Sequence, residues 1–459
     1  MKELRPRERV WQRPLEQKGI TPAGNGASGQ RTLVQSMREK KHTFVYGALV
    51  AFSVLYFYRP EDFVPGLDRI PLAKITGIAG FVALAFGVLS TGKFKLPRAL
   101  KILVLLLGQL ILAIPFAIWS GGAVDTVFTR FSKGLTAALL IGLAVSTLHQ
   151  IRKLLWIQVS AVSLVTFLSI VMNHRRDGRL EGIQNGILMN PNDLAINIAI
   201  TFPLGVAFML HARGFKKAIW AIALAFMCVG VLLTLSRSGL IALIISIMIC
   251  VWEYGIKGKR RTVVILAGVT LLVGVGVVFS NSGYRARVES ILLGNIEGSH
   301  DKGSLDARKM LLKKSLMVAV THPLLGVGPG CFQVLDNGWA VAHNSYTELA
   351  AEAGFPALIL FLMALAAALR NLKEVSKSQH FQKLPEFRLF TQALRAGLWA
   401  YIAGACFASV EYLIYSYLLV AYTCAMVQIA SRPLGNVEVG GVQKTSKGFY
   451  DRIPRPQPV

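Results

Sequence analysis

"ALKILVLLLGQLILAIPFAIW" (99–119) carries one charge, Lys101, and "RTVVILAGVTLLVGVGVVFS" (261–280) carries none after its first residue. Both approach or exceed the ~18 apolar residues that read as a helix crossing a bilayer. Barrel strands alternate apolar and polar residues, and these runs do not, so a transmembrane barrel is excluded. The same signal recurs along the chain. Spans are predicted near 43–58, 72–90, 100–119, 134–148, 154–172, 194–210, 216–234, 239–252, 262–279, 355–370, 396–410 and 412–430. The fold expected is therefore all-α: a polytopic integral membrane protein of about twelve transmembrane helices.

Composition agrees. Of 459 residues, 53% are hydrophobic and 16% charged, where a soluble domain would carry roughly a quarter charged. The net charge of +26 raises nucleic acid as a partner, but its distribution argues for a membrane. With a cytoplasmic N-terminus, the inner loops include "TGKFKLPRALK", "HQIRKLL", "HARGFKK" and "EYGIKGKRR", short and basic as the positive-inside rule requires. Anionic lipid headgroups are the natural partner of such loops, and no nucleic-acid role is expected. Residues 1–42 lack an apolar core and hold ten Lys/Arg against four Glu, so they read as a disordered basic cytoplasmic tail rather than a signal peptide. Residues 431–459 read as a second cytoplasmic tail. Between them lie helices 1–9 (43–279), a 280–354 segment and helices 10–12 (355–430).

Four polar stretches fall on one, external side by odd–even counting. They are 173–193, "LSRSG" (235–239), the 280–354 segment and the turn at Glu411. The 280–354 segment is far longer than an ordinary connection, and loops of that kind usually carry function. Its seven basic and seven acidic residues suit a folded unit. Within it, "SLDARKMLLKKSLMVAVTHP" (304–323) predicts a helix with Ser304 as N-cap and an apolar stripe of Leu305, Met310 with Leu311 or Leu312, and Leu316. "AHNSYTELAAEAG" (342–354) predicts a helix start, with Ser345 and Glu348 at capping-box spacing, Gly354 as a stop and Pro356 in the next first turn.

His343 stands just before that start. A helix's positive end disfavours imidazolium, and a neutral ring can accept a proton as a general base must. A lone loop histidine is more often an ordinary surface or packing residue. Arg237 sits in a loop so short that its guanidinium stays near the membrane surface, where lipid phosphates lie; the plain alternative is an interfacial anchor. Arg308 reads either as a phosphate ligand or as part of a solvated helix face with Lys309, Lys313 and Lys314. Arg175, Arg176 and Arg179 form a basic cluster with Asp177 and Glu181. "GVGPG" (326–330) lacks the Lys-Ser/Thr of a phosphate loop, and its glycines read as tight turns. No HExxH, CxxC pair, GxSxG or external Asp-x-Asp is present, so neither a metal nor another cofactor is expected. Ionisable residues are nearly absent from span interiors, which speaks against a pump or ion-coupled transporter.

"LMNPNDLA" (188–195), "LTLSRSGL" (233–240), Arg308 with Leu312 followed by "PLLGVGPG" and Phe332, and "AHNSYTELAAEAG" occur in this order. Together they resemble the O-antigen ligase-like family. The resemblance implies a GT-C-like membrane glycosyltransferase with a large periplasmic helical loop between spans 9 and 10. It implies transfer, with inversion and without metal, of a glycan from undecaprenyl pyrophosphate to an acceptor hydroxyl on the periplasmic face of the bacterial inner membrane. The acceptor would be lipid A–core, a growing polysaccharide or a protein. Carried over by motif, His343 is the catalytic residue and Arg237 and Arg308 hold the pyrophosphate. Arg175, Arg179 and Asn190 are further candidates for substrate binding. The rival classes are a non-catalytic lipid-glycan flippase or permease, which would tolerate loss of His343, and an envelope scaffold.

Overall fold

The computed structural model describes residues 44–60, 72–91, 96–182, 188, 190–280, 300–335 and 340–434. The two predicted tails lie outside these residues, apart from 431–434, as does much of the 280–354 segment before residue 300. The described chain is almost wholly helical, with one hairpin of two two-residue strands.

In chain order the helices are α1 (Phe44–Tyr58), α2 (Leu72–Thr91), α3 (Arg98–Ala113), α4 (Ser120–Asp125), α5 (Ser132–Ala144), α6 (Leu148–Val171), α7 (Pro191–His211), α8 (Phe215–Leu233), α9 (Arg237–Cys250) and α10 (Arg261–Ser280). After these come α11 (His300–Thr321), α12 (Ser345–Val375), α13 (Gln379–Lys383), α14 (Pro385–Gly404) and α15 (Ile414–Ala430). Among the described residues, seven stretches are long and apolar enough to cross a membrane: Arg98–Phe116, Ser120–Ala144, Leu148–Val171, Pro191–His211, Phe215–Leu233, Arg237–Ile256 and Ser345–Val375. Three apolar helices are shorter: Phe44–Tyr58, Lys74–Ala85 and Ile414–Ala430.

Helix α7 is the centre of the bundle. Nearly all its side chains are buried, and it packs on α9, α14, α8 and α6. Helix α12 packs on α3, α15 and α11. The periphery is apolar, as lipid contact requires: Leu105, Phe215, Ile222 and Met248 are all largely exposed. Between helices in lipid there is little hydrophobic driving force, so close packing through small residues does the holding.

The structure revises several boundaries. The span expected at 134–148 begins at Ser120, because a π-turn over Thr126–Phe131 carries the helix through; Asp125 and Arg130, which read as loop, pair at 3.8 Å on its exposed side. The helix expected at 396–410 runs instead over Pro385–Gly404, and 405–413 is a largely buried turn, with Cys406 and Phe407 exposed, whose apolarity imitates a helix. Ser304 is not an N-cap, since the helix already runs from His300. The buried face of α11 is Leu311, Ser315 and Ala319, while Met310, Leu312 and Leu316 of the expected stripe are exposed. The stop expected at Gly354 is present: its backbone is non-helical and divides α12 into two helical segments across a kink, with Pro356 in the first turn of the second. Gly354 has φ +80°, and a Cβ there would stand 2.4 Å from the Leu324 carbonyl.

Candidate active site

Three of the polar stretches come together around His343, which lies near Arg308 and Arg179 and bonds to Ser409, and the 235–239 stretch is reached through the bond of Arg179 to Thr234. Its backbone is left-handed, at φ +57°, a conformation non-glycine residues rarely hold without support. Support comes from the 405–413 turn. The His343 N–H donates to Ser409 Oγ at 3.1 Å, and Ser409 Oγ in turn donates to the Glu348 carboxylate. Glu348 also accepts the Ala342 N–H at 3.0 Å. The next two residues are stitched to the same turn. Asn344 Nδ2 donates to the Cys406 carbonyl at 3.0 Å, and Ser345 Oγ donates to the Ala408 carbonyl at 2.7 Å.

These bonds correct the expected capping box. Asn344, not Ser345, is the N-cap of α12, and its Oδ1 accepts the Tyr346 and Thr347 N–H groups at 3.0 and 3.1 Å. Ser345 is one residue inside the helix and spends its hydroxyl on the turn. Glu348 secures the Ala342 amide and orients Ser409 under the His343 amide rather than closing a box.

Partial burial, then the charges of Arg308 and Arg179, lower the His343 pKa from 6.5 to about 4. The ring is therefore neutral at pH 7, as expected, but the causes are desolvation and two guanidinium groups. Arg308 is half-buried on the inner side of α11, and that helix is pinned to α12 by Ser315 Oγ donating to Thr347 Oγ1 at 2.9 Å.

Arg179 belongs to the hairpin β1 (Arg175–Arg176) and β2 (Arg179–Leu180), closed by Asp177 and Gly178, both with positive φ. Asp-Gly at such a turn matches the right-handed twist of paired strands. Arg179 Nε donates to the Thr234 carbonyl at 2.9 Å and its terminal nitrogen to Asn192 Oδ1 at 2.8 Å. It thus joins the hairpin to the start of α7 and to the end of α8, just ahead of α9. Arg237 is the first residue of α9. Ser236 caps that helix by accepting the Gly239 N–H at 3.2 Å. Gly239 lets α9 lie against α7, because a Cβ there would fall 2.1 Å from Ala195 Cβ.

The remaining two candidates are placed differently. Arg175 is exposed and its Nε donates to Asn173 at 2.7 Å, and no described interaction ties it to His343. Asn190 is the N-cap of α7, its Oδ1 accepting the Asn192 N–H at 2.8 Å.

The GVGPG turn behaves as expected. Gly326, Gly328 and Gly330 all have positive φ, and its amides are spent within the protein. Val327 and Gly328 donate to the carbonyls of Ala351 and Glu352, while Gly330 and Phe332 donate to the Glu352 carboxylate at 2.8 and 3.0 Å. Tyr412 closes this clamp by donating to Glu352 at 2.8 Å. The sequence reading missed Asn344, Ser409, Glu352 and Tyr412. Glu348 and Glu352, one turn apart beside a polar loop, were the available signal. Burial, then nearby Glu352, holds the Glu411 carboxyl above the usual carboxylate range. Among the described residues, no three His, Cys, Asp or Glu side chains gather as a metal site.

The site thus combines a neutral imidazole with guanidinium groups and the N-terminal ends of α7, α9 and α12, all features that favour an anion beside a base. Residues 222–362 match the family model described as O-antigen ligase. The match spans α8 to the first half of α12, so it takes in Arg237, Arg308 and His343 and leaves out Arg175, Arg179 and Asn190. It supports the resemblance read from the ordered motifs and a membrane glycosyl-transferring function of ligase or polymerase type. No curated protein matches the chain.

Proposed function

We propose that this O-antigen ligase-like protein transfers a glycan from undecaprenyl pyrophosphate to an acceptor hydroxyl at the periplasmic face of the bacterial inner membrane. The observation that carries the reading is His343, kept neutral at pH 7 within the field of Arg308 and Arg179. In this mechanism the acceptor O–H gives its proton to the His343 imidazole. The freed oxygen attacks the anomeric carbon, and the bond from that carbon to the pyrophosphate oxygen breaks with inversion. The leaving group is already an anion, so it needs charge stabilisation rather than protonation. Arg308 and Arg237 supply that stabilisation, with Arg179 holding the loop that presents Arg237. The charge of the arginines takes the place of the divalent cation used by other pyrophosphate enzymes, so no cofactor is required. Arg175 and Asn190 would then serve the hairpin and the α7 cap.

This reading makes 280–354 the catalytic segment, puts both termini in the cytoplasm and assigns twelve spans. A deletion strain complemented with wild type or His343→Ala, both checked for membrane expression, tests it. Glycans on undecaprenyl carrier are compared with glycans on lipid A–core, long polysaccharide and protein. Accumulation of carrier-linked glycan with the variant supports transfer, and the missing product names the acceptor. Full restoration by His343→Ala would move the reading to transport or scaffolding.

A further inference from the structure

Helix α11 turns an apolar face away from the protein. Met310, Met317 and Val320 lie on one helical side, Leu324 follows in the turn after the helix, and each is more than half exposed. Lys309 and Lys313 are exposed on the same side, toward the start of the helix. Beyond Lys313 come Lys314, whose Nζ donates to the Leu335 carbonyl at 3.3 Å, apolar residues, and Thr321, whose hydroxyl donates back to the Met317 carbonyl at 3.0 Å. The face is thus charged at one end, where Asp306 stands 3.9 Å from Lys309 and the lysines leave a net positive charge, and apolar at the other.

The apolar end is fixed against membrane-spanning helices. The Leu324 carbonyl accepts Gln109 Nε2 at 2.7 Å, and the same nitrogen donates to the Ala353 carbonyl at 3.0 Å. Gln109 lies seven residues, ~10 Å along the axis, inside the end of the Arg98–Phe116 span. Phe355 N–H donates to the Pro323 carbonyl at 2.8 Å, and the exposed side chains of Phe355, Ile359 and Met363 continue the apolar surface down α12. Leu324 therefore stands at the depth of hydrocarbon, while Lys313 lies seven residues, ~10 Å, back from Val320. That offset matches an interfacial helix, whose apolar face enters about 5–10 Å while its lysines meet anionic headgroups.

We infer that α11 is a membrane-interface helix: Met317, Val320 and Leu324 enter the acyl region, and Lys309 and Lys313 bind the phosphates of bilayer lipids. This assigns the helix a lipid partner whatever reaction the protein performs, and it fixes the height of Arg308 at the phosphate plane.

Single-cysteine variants at Lys309, Lys313, Met317, Val320 and Leu324, in the full chain with Cys406 replaced, carry a nitroxide into nanodiscs. The discs contain phosphatidylethanolamine and phosphatidylglycerol only, so no glycan-carrying lipid is present. Labels at 317, 320 and 324 should collide readily with oxygen and poorly with a water-soluble nickel chelate, and labels at 309 and 313 should show the reverse. Nickel access at 317 and 320 equal to that at 309 overturns the inference, because the helix then lies in water. Low access to both reagents also overturns it, because a protein surface, such as a second copy of the chain, then covers the face.

Discussion

The His343 N–H donates to Ser409 Oγ at 3.1 Å, from the turn between the last two helices onto a backbone held at φ +57°. No other described bond comes to that amide, and Ser409 is itself oriented by Glu348. Ser409→Ala removes the acceptor while leaving the ring's chemistry intact. A hydrogen bond of this kind contributes ~1 kcal/mol, so a loss of about five- to tenfold in kcat is expected, with KM for the lipid donor little changed. Ser409→Thr, which keeps the hydroxyl, should recover most of it. Steady-state transfer assays on purified protein check both; a matching fall in KM and kcat alike, or no effect, would remove Ser409 from this role.

Burial first, and then Arg308 and Arg179, set the pH at which the His343 ring takes up a proton. Its pKa is lowered to about 4, so the base form persists until pH falls through about 4 rather than 6.5. Arg308→Gln removes one positive neighbour, so the acid limb of His343-dependent transfer should move upward toward 6.5. The stability effect has the same origin. Between 6.5 and 4 the unfolded imidazole binds protons that the folded one refuses, so this group's contribution to stability falls as pH drops across that window. A pH–rate profile of the two proteins is the check, and an unmoved acid limb would mean that another group titrates.

Arg179→Lys should fail to replace arginine. The guanidinium reaches two partners at once, the Thr234 carbonyl and Asn192 Oδ1, in a fork that an ammonium cannot copy. Hydrogen bonds from charged donors contribute ~1.5–3 kcal/mol, so donor KM should rise at least tenfold in Arg179→Lys and Arg179→Ala alike. Retention of wild-type KM by the lysine variant would show that charge alone matters there.

Asn344→Ala separates the observed cap from the one the spacing suggested. It strips acceptors from two backbone N–H groups, and capping losses run ~0.5–2 kcal/mol. Thermal unfolding in detergent should show a lower midpoint, with Asn344→Asp, which can still cap, closer to wild type.

Asn344 also shows where sequence reading stops. Helix positions were legible because a bilayer demands long apolar runs, and the His343, Arg237 and Arg308 motifs were legible as an ordered set. The cap was not, because Asn344 and Ser345 are both good cap residues, and Ser345 is diverted to Ala408 and Val410, more than sixty residues away. The α14 boundary was missed for a related reason. The 405–413 turn continues the apolar composition of α14 through Ala405, Cys406, Phe407, Ala408 and Val410, so hydropathy cannot tell it from a span. The inner face of α11 was misread because amphipathic spacing identifies a stripe without saying whether protein or lipid covers it. Asp177-Gly178 was a hairpin signal in plain view, masked by the basic residues around it.

The contact of Gly239 with Ala195 fixes where Arg237 stands. Helix α9 can begin only where its third residue meets α7 without a side chain: a Cβ on Gly239 would lie 2.1 Å from Ala195 Cβ and 3.1 Å from the Ala195 backbone. Gly239→Ala must therefore push the start of α9 away from α7, and Arg237 and the Ser236 cap move with it. Overpacking of this kind typically costs ~1–3 kcal/mol. Activity should fall more steeply than stability if Arg237 holds the pyrophosphate as proposed, because a displacement of even an ångström then spoils that alignment. Ala195→Gly removes the nearer clash and leaves the backbone contact, so the double variant should recover stability and transfer in part. A double-mutant cycle on unfolding midpoint and on donor KM measures that coupling, and strictly additive effects would show that the two helices do not set the position of Arg237.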